Sequence, residues 1–312
     1  MRLSLAILAL AFSARVFAEP PKTGYRVLAQ DKGKVAIIGT DGTVEWEVEC
    51  KYNSHDIHML PNGNLLLHTA AATVTEMTPK KEVVWKYTAK PKAGYKGGVE
   101  IHSFQRLADG NTMVAESGNQ RIVEVDKDGK IVKEVPLTVK KPDPHRDTRM
   151  VRKLDNGNYL VCQELDGCVH EYDEKGKIVW TYSLDLGGRP RAPGHGPEGH
   201  GTEAYGAIRL ANGNTVIAGG NNNRVLEVNK DGKIVWSIDQ KELPGITLAW
   251  VTTLHVLPNG NLIVGNCHAG PDNPQLFEVT REKKVVWTFK NHSVFDNSLA
   301  AAHVLDIKGV LR

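Results

Sequence analysis

Four residues with ligand-binding chemistry stand at the same step of four successive sequence repeats. They are His55, His102, Arg149 and Tyr205, and each lies five residues before the leucine that the repeats share. An arginine fork binds oxyanions, and imidazole and phenol groups donate hydrogen bonds to them. The pattern therefore predicts a site for sulfate, phosphate or carboxylate, in which His55 and His102 are the candidate catalytic residues.

Three further residues extend this predicted site. Thr252 occupies the same step of the fifth repeat, while Arg121 and Arg224 lie in the turns between the second and third strands of their repeats. Both arginines could add positive charge at the face that carries the site. The alternative, in which each side chain caps carbonyl groups of its own turn, stays open.

A second column, two residues before the shared leucine, contains His58, His255 and His303. Imidazole is a common metal ligand, so three such side chains raise the question of a metal ring. Adjacent positions on a strand face opposite ways, however, which places this column between blades. We expect these histidines to bond to backbone groups of a neighbouring blade, and we predict no metal site.

A Gly/Pro-rich segment, residues 186–203, lengthens one repeat interval from 47 to 56 residues. Long loops in compact domains are either functional or disordered. The segment carries His195, Glu198 and His200, but the glycines around them give no fixed geometry for a metal. A lid or partner-binding loop over the polar column is the other functional interpretation, and passive disorder is the third.

Six copies of a strand–turn–strand motif determine where all these residues stand. Their turn glycines fall at positions 63, 110, 157, 213, 260 and 309. A fixed period of about 40 to 50 residues is typical of propellers and solenoids. Within each copy, β-branched runs alternate with Asn-Gly and Asp-Gly turns, which predicts four antiparallel strands. The sequence therefore predicts an all-β fold, a six-bladed β-propeller of four-stranded antiparallel blades.

The two ends of the repeat region complete each other. The segment that starts at Tyr25 supplies the last three strands of a repeat without its first, and residues 302–305 supply a first strand without its partners. Pairing of residues 302–305 with residues 25–29 would close the ring and remove its exposed edges. Residues 19–312 are therefore predicted to form a single propeller domain.

The outer strand of most repeats carries a tryptophan. Five of these residues, predicted to be buried between blades, are Trp46, Trp85, Trp180, Trp236 and Trp287. In its Gly-Lys-x-x-Trp segments the chain resembles quinoprotein-type propellers, whose tryptophans dock against the next blade. Members that bind pyrroloquinoline quinone have eight blades, adjacent cysteines and a Ca²⁺ site. This chain has neither the eight blades nor the cysteine pair, so no cofactor is expected.

The segment from Ser54 to Leu65, with its His-Asp-Ile and Leu-Pro-Asn-Gly-Asn sequences, resembles arylsulfotransferase-type propellers. That resemblance implies sulfuryl transfer through a central histidine, with further His, Arg and Tyr side chains binding the sulfuryl oxygens. Residue by residue, only the column of His55, His102, Arg149 and Tyr205 could carry it. The motif does not determine which histidine would be the nucleophile.

Residues 1–18 have the pattern of an export signal. Arg2 is followed by an apolar run too short to span a bilayer and by the small-residue cleavage pattern of residues 16–18. We therefore expect an exported protein, periplasmic or secreted, that does not insert into the membrane. Removing the signal takes Arg2 and Arg15 from the 39 basic residues and leaves 37, against 36 acidic ones. That balance argues against nucleic acid as a partner.

The chain contains four cysteines, Cys50, Cys162, Cys168 and Cys267. If Asp166 and Gly167 form a two-residue hairpin turn, Cys168 faces Leu165 rather than Cys162, which makes a bridge between them doubtful. The large core needs no disulfide, so we expect mainly free, buried thiols.

Two functions of different classes fit these patterns. The first is an exported, monomeric propeller that binds a small anionic molecule, or an extracytoplasmic protein partner, at the mouth of its channel. The second is a group-transfer or lyase-type enzyme that acts on an anionic substrate through the His/Arg/Tyr cluster. The sequence leaves open whether the protein is catalytic, because catalysis requires the side chains to converge at one point.

Overall fold

Asn-Gly or Asp-Gly turns connect the first and second strands of five blades, and their chemistry is visible in the computed structural model, which describes residues 24–312. In the fourth blade, the Leu210 N–H donates to the Asn214 carbonyl at 2.8 Å, and the Gly213 N–H donates back to the Leu210 carbonyl at 2.9 Å. Gly213 has φ of +87°, a conformation that glycine adopts without strain. The Asn212 side chain accepts the Asn214 N–H and fixes the turn.

All regular structure in residues 24–312 is β-strand. The strands of the first half are β1 (Val27–Asp31), β2 (Lys34–Ile38), β3 (Val44–Glu49), β4 (Ile57–Met59), β5 (Leu65–Ala70), β6 (Thr73–Met77), β7 (Val83–Thr88), β8 (Glu100–Arg106), β9 (Thr112–Ser117), β10 (Arg121–Val125), β11 (Ile131–Pro136) and β12 (Val151–Lys153). Those of the second half are β13 (Tyr159–Gln163), β14 (Cys168–Tyr172), β15 (Ile178–Ser183), β16 (Gly206–Arg209), β17 (Thr215–Ala218), β18 (Val225–Val228), β19 (Ile234–Ile238), β20 (Val251–Val256), β21 (Leu262–Asn266), β22 (Leu276–Val279), β23 (Val285–Phe289) and β24 (Ala301–Val304).

The strands form six four-stranded antiparallel sheets, which confirms the six-bladed propeller. Blades 1 to 5 take four consecutive strands each, from β4–β7 to β20–β23, and the first strand of each is the innermost. Blade 6 has the order β24-β1-β2-β3. Val304 pairs with Val27 and Ala302 with Ala29, so the ring closes between the two ends of the chain as predicted.

No helix in this described part of the chain is long and apolar enough to cross a membrane. The predicted export signal, residues 1–18, lies outside the described residues, as does the predicted start of the domain at residue 19.

A buried glutamate joins each of five blades to the next. These residues occupy the third strand and are Glu76, Glu124, Glu171, Glu227 and Glu278. In blade 3, Glu171 accepts from Asn158 of its own first turn at 2.7 Å and from Arg209 of blade 4 at 2.8 Å. The corresponding partners from the next blade are Arg106 for Glu76, Lys153 for Glu124, Arg281 for Glu227 and the Tyr25 hydroxyl for Glu278. Since a buried carboxylate is costly when unpaired, each blade needs its neighbour.

The tryptophans pack over these ion pairs. Trp180 stands opposite Glu171 in the strand register, and the Arg209 guanidinium lies 4.7 Å from its ring centroid. The Trp180 indole N–H also donates to the Lys230 carbonyl of blade 4 at 2.8 Å. Trp46, Trp85 and Trp236 donate to the following blade in the same way, which confirms their equivalent docking positions.

The five tryptophans were predicted to be largely buried, and the structure encloses them to different degrees. Trp85 is 8% exposed, whereas Trp46, Trp180, Trp236 and Trp287 are only partly buried. The outer strand is the rim of each blade, so one face of its ring packs on the next blade while the edge meets solvent.

The four cysteines are free and buried, which confirms the expectation of free thiols. The expected register of Cys168 was wrong, however. Cys168 pairs with Gln163, not Leu165, because the hairpin closes with a four-residue turn. Burial raises the pKa of the Cys168 thiol to about 12.

We expect Trp85→Ala to lower the free energy of unfolding by about 3–5 kcal/mol, the usual cost of removing a buried aromatic side chain. Trp180→Ala, at a partly exposed position, should cost less than half as much. Urea denaturation measures both. The matched control is Val84→Ala, on the same strand but 55% exposed, which should change stability by no more than about 0.5 kcal/mol. Equal losses for Trp85→Ala and Val84→Ala would contradict the docking role.

Candidate functional site

The structure brings His55, His102, Arg149 and Tyr205 together at one mouth of the central channel. They come from blades 1 to 4 in order, each at or just before the innermost strand. His102, Arg149 and Tyr205 are at most 3% exposed, and His55 is partly exposed. Equivalent repeat positions therefore converge, as the sequence pattern predicted.

Arg149 is the centre of this cluster. Its Nη1 donates to His55 Nε2 at 3.1 Å and to His102 Nδ1 at 3.3 Å, and its Nε donates to the Glu164 carboxylate. Because arginine only donates, both ring nitrogens that face it must be acceptors. The proton of His55 is therefore on Nδ1, which lies 3.1 Å from the Tyr205 hydroxyl. His102 correspondingly carries its proton on Nε2.

This environment keeps the two histidines neutral. Burial, and after it the charge of Arg149, holds the pKa of His55 well below 6.5. The same two causes lower the pKa of His102. Burial also raises the pKa of Tyr205 well above 10. Protonated histidines would strengthen anion binding at mildly acidic pH, but burial and the charge of Arg149 remove that contribution here.

His102 reaches the cluster through a β-bulge. Ile101 pairs with Glu116 and Ser103 with Ala115, which leaves His102 as the extra residue of β8. Bulges re-aim side chains and are common beside functional sites. Here the bulge turns His102 towards Glu100, whose Oε2 lies 3.4 Å from His102 Nε2.

His145 completes the cluster from the connection between β11 and β12. Its Nδ1 lies 2.9 Å from Glu100 Oε2, and its side chain is 56% exposed. A carboxylate that accepts from Nδ1 orients the imidazole and leaves Nε2 as a proton acceptor. His145, rather than His55 or His102, is therefore the imidazole with a nitrogen available for acid–base chemistry.

A cavity of about 520 Å³ opens above Arg149. Six of its fourteen lining residues carry an aromatic or imidazole ring: Tyr52, His55, His145, His195, Trp250 and His268. Lys51, Glu100 and Arg149 supply its charged groups. The cavity can therefore hold a small ring-containing ligand beside a fixed guanidinium group.

The long loop covers part of this cavity. The His195 ring lies 4.3 Å from the Trp250 ring and 5.4 Å from that of His268. Asn223 holds the loop by donating to the Gly199 carbonyl at 2.7 Å. Residues 186–203 thus form an ordered wall of the cavity, which excludes the interpretation as passive disorder.

Five residues predicted to bind ligand do not line the cavity. Two of them, His102 and Tyr205, are buried and contact the lining residues Arg149 and His55. The other three lie further away. Arg121 is paired with Glu116 and Glu134 in its own blade. Arg224 bonds to Asp185, at the start of the long loop, and to the Asn222 side chain, rather than to backbone carbonyl groups of its own turn. Thr252 lies in a bulge of β20 and is fully buried, because its side chain points at Gly265.

The second histidine column behaves in part as predicted. His303 Nδ1 accepts the Met59 N–H of the next blade at 3.0 Å. His58 instead lies 3.0 Å from Asp56, a residue that also accepts two hydrogen bonds from Arg152 of blade 3. Burial would raise the pKa of Asp56, but the charges of Arg152 and His58 outweigh it and hold that pKa well below its usual range. This ion pair fills the channel below the cluster.

Sequence reasoning missed Glu100, His145, Glu164, Trp250 and His268. Glu100 stands two residues before His102 on the same strand, so period-2 alternation could have identified it. His145 and Trp250 lie in connections between blades, and the repeat pattern gives those segments no register. Within residues 24–312, Glu100, His102 and His145 form the one group of three metal-ligating side chains whose ligand atoms lie within 4.8 Å of one another.

No protein-family model and no curated protein matches this chain. Several solved structures, however, are similar to it. A protein of unknown function from Bacteroides caccae has a TM-score of 0.74 at 23% identity, over 89% of this chain and 97% of that chain. A streptogramin B lyase has a TM-score of 0.56 at 12% identity, over 88% and 85%. Virginiamycin B lyase from Staphylococcus aureus has 0.54 at 15% identity, over 92% and 86%. At these identities the likeness shows the propeller fold.

The neutral state of His55 and His102 predicts a loss of stability in acid. In the unfolded chain these rings take up protons as the pH falls through about 6.5. In the folded chain they stay neutral, so their contribution is complete above about pH 6.5 and is lost progressively below it. Urea denaturation should show a falling free energy of unfolding from about pH 7 to about pH 5.

NMR titration of the imidazole protons tests the cause directly. Signals assigned by comparison with His55→Gln and His102→Gln should show no protonation step between about pH 7.5 and pH 5.5. Protonation of either ring near pH 6.5 would contradict the arginine-centred network.

Proposed function

We propose that this propeller binds a small ligand with an anionic group in the cavity at the channel mouth. The single observation that carries the proposal is the position of Arg149. Its guanidinium group forms the base of a cavity of about 520 Å³, and three neighbours fix its orientation. A preorganised arginine loses little entropy when it binds an oxyanion, and burial strengthens that interaction.

The aromatic residues of the cavity wall indicate the chemistry of the uncharged part of the ligand. Trp250 and Tyr52 offer ring faces, and the loop residue His195 packs against Trp250. An aromatic carboxylate, sulfate ester or phosphate ester of modest size fits this combination, because one end is apolar and the other charged. Binding of a protein partner through the exposed rim of the same mouth is the broader form of the proposal.

The proposal includes a location. The pattern of residues 1–18 supports export, so the ligand would be met in the periplasm or outside the cell. The near balance of acidic and basic residues in the remaining chain supports a small-molecule or protein partner rather than nucleic acid.

Calorimetric titration of sulfate, phosphate and benzoate tests the proposal. The double variant Arg149→Met/Glu164→Gln removes the buried ion pair as a unit, since leaving Glu164 unpaired would destabilise the fold. We expect it to bind about 10- to 100-fold more weakly, because a hydrogen bond to a charged group contributes about 1.5–3 kcal/mol. Arg146→Ala, an exposed arginine of the same connection, is the matched control and should bind like wild type. Equal affinity of the double variant and wild type, or no binding of any anion, would reject the site.

A second candidate function is catalysis, which the Glu100–His145 pair favours. The Glu100 carboxylate orients the exposed His145 imidazole through its Nδ1, beside the proposed anion site, as general acid–base or nucleophilic chemistry requires. Group transfer of the arylsulfotransferase type is one form of this hypothesis. A lyase reaction is the other, and the streptogramin B lyase named above has a similar fold.

Release of nitrophenolate from nitrophenyl sulfate, with phenol as acceptor, tests the sulfuryl-transfer form. Wild type should release nitrophenolate, and His145→Ala should lose at least about 100-fold of the rate, since acid–base groups contribute about 10²–10⁴-fold. His145→Ala should still bind sulfate within about threefold of wild type. No release by wild type, or equal release by both proteins, would rule out this chemistry at His145.

A further inference from the structure

A carboxylate and two imidazoles meet at the mouth cavity, where Glu100 and His145 line the wall and His102 is buried next to them. Glu100 Oε2 lies 3.4 Å from His102 Nε2 and 2.9 Å from His145 Nδ1. Ligand atoms that share a zinc ion, at metal bonds of about 2.0–2.1 Å, stand roughly 3.4 Å apart when tetrahedral. We propose that Glu100, His102 and His145 form a zinc site that opens into the cavity.

His102 supplies an independent reason to expect a ligand. Its side chain is fully buried, and its Nε2 makes no hydrogen bond with any residue that the structure describes, although it faces Glu100. A buried polar atom without a partner is unfavourable. A metal ion between the Glu100 carboxylate and this nitrogen provides the missing interaction.

The backbone presets the three side chains. Glu100 and His102 both belong to β8, and Glu100 Oε2 faces His102 Nε2. His145 follows Asp143, whose carboxylate accepts the His145 N–H at 2.9 Å and fixes the turn. Two rigid elements from different parts of the chain thus hold the ligands, as a metal site requires.

The donor set selects the metal. Two imidazoles and one carboxylate suit zinc, whereas magnesium and calcium prefer oxygen ligands alone. Three protein ligands leave the fourth position of a tetrahedral ion for water or for a ligand in the cavity. His145 is the outermost of the three, so this open position faces the cavity rather than the channel.

Arg149 opposes metal binding, and this gives the proposal a consequence that can be measured. To bind zinc through Nε2, His102 must move its proton to Nδ1, where Arg149 Nη1 now donates at 3.3 Å. The hydrogen bond must therefore be given up, and the guanidinium charge also repels the ion. Removal of Arg149 should consequently strengthen zinc binding while it weakens the anion binding proposed above.

The test is calorimetric titration of zinc chloride into full-length protein that has been freed of metal with a chelator. Wild type should bind one equivalent, and excess magnesium should not displace it. Glu100→Gln and His145→Ala should each weaken binding by about 100-fold or more. His268→Ala, which removes another cavity imidazole outside the ligand set, should stay within about threefold of wild type.

A wild-type protein that binds no zinc, or a Glu100→Gln variant that binds it equally well, would overturn the proposal. Arg149→Met/Glu164→Gln separates it from the anion site. Stronger zinc binding by this double variant supports the zinc site whether or not wild type binds anions. Weaker zinc binding by the double variant would overturn the proposed geometry, because Arg149 would then support the metal.

Discussion

The fold depends on buried glutamate carboxylates whose hydrogen bonds no blade can complete without its neighbour. In five blades the third strand carries a buried glutamate opposite the outer-strand tryptophan position, and its second partner belongs to the next blade. In four of these blades the same blade supplies an asparagine amide, as Asn214 does for Glu227 at 2.6 Å. Both partners of Glu124, Lys153 and Tyr159, come from the next blade. Because desolvation of an unpaired carboxylate costs several kcal/mol, a blade without its neighbour is incomplete. In blade 6, Ile37 takes the glutamate's place, and there apolar packing replaces the ion pair.

The same dependence positions the site. Inner strands converge only when the blades are locked side by side, and Arg149 reaches His55 and His102 across three blades. Below them, Arg152 of blade 3 holds Asp56 of the first blade's entry segment, while Ser103 of blade 2 donates to the same carboxylate. A layer of arginine–histidine hydrogen bonds and, below it, the Asp56–Arg152 ion pair thus tie blades 1 to 3 at the channel beneath the mouth cavity.

The sequence predicted the parts of this arrangement that repeat. Turn chemistry is local, so the Asn-Gly motifs were sufficient to predict the blade number, the strand order and the closure. Because His55, His102, Arg149 and Tyr205 occupy the same position of their repeats, the sequence also predicted that they converge. The glutamate column was missed, although each glutamate stands nine residues before the outer-strand position that Trp85 or Trp180 occupies. Arg121 and Arg224 were misplaced because a charged side chain in a turn bonds to whichever acceptor is near, and spacing does not identify it. His145 and Trp250 lie in segments outside the repeat, where only the folded chain defines position.

The way in which blade 6 closes determines when the ring can be completed during folding. Strands β1, β2 and β3 are the first of the described strands to be synthesised, yet their inner partner, β24, ends at Val304. Until β24 has been synthesised, the hairpins formed by β1, β2 and β3 therefore present an unpaired edge, and the ring gains its last contact only when β24 emerges. Pairing of Val27 with Val304 closes a very long loop of the chain, and folding steps that require such long-range pairing are slow. The closed ring therefore requires β1 and β24 together, and chains that lack β24 would expose a strand edge that favours aggregation.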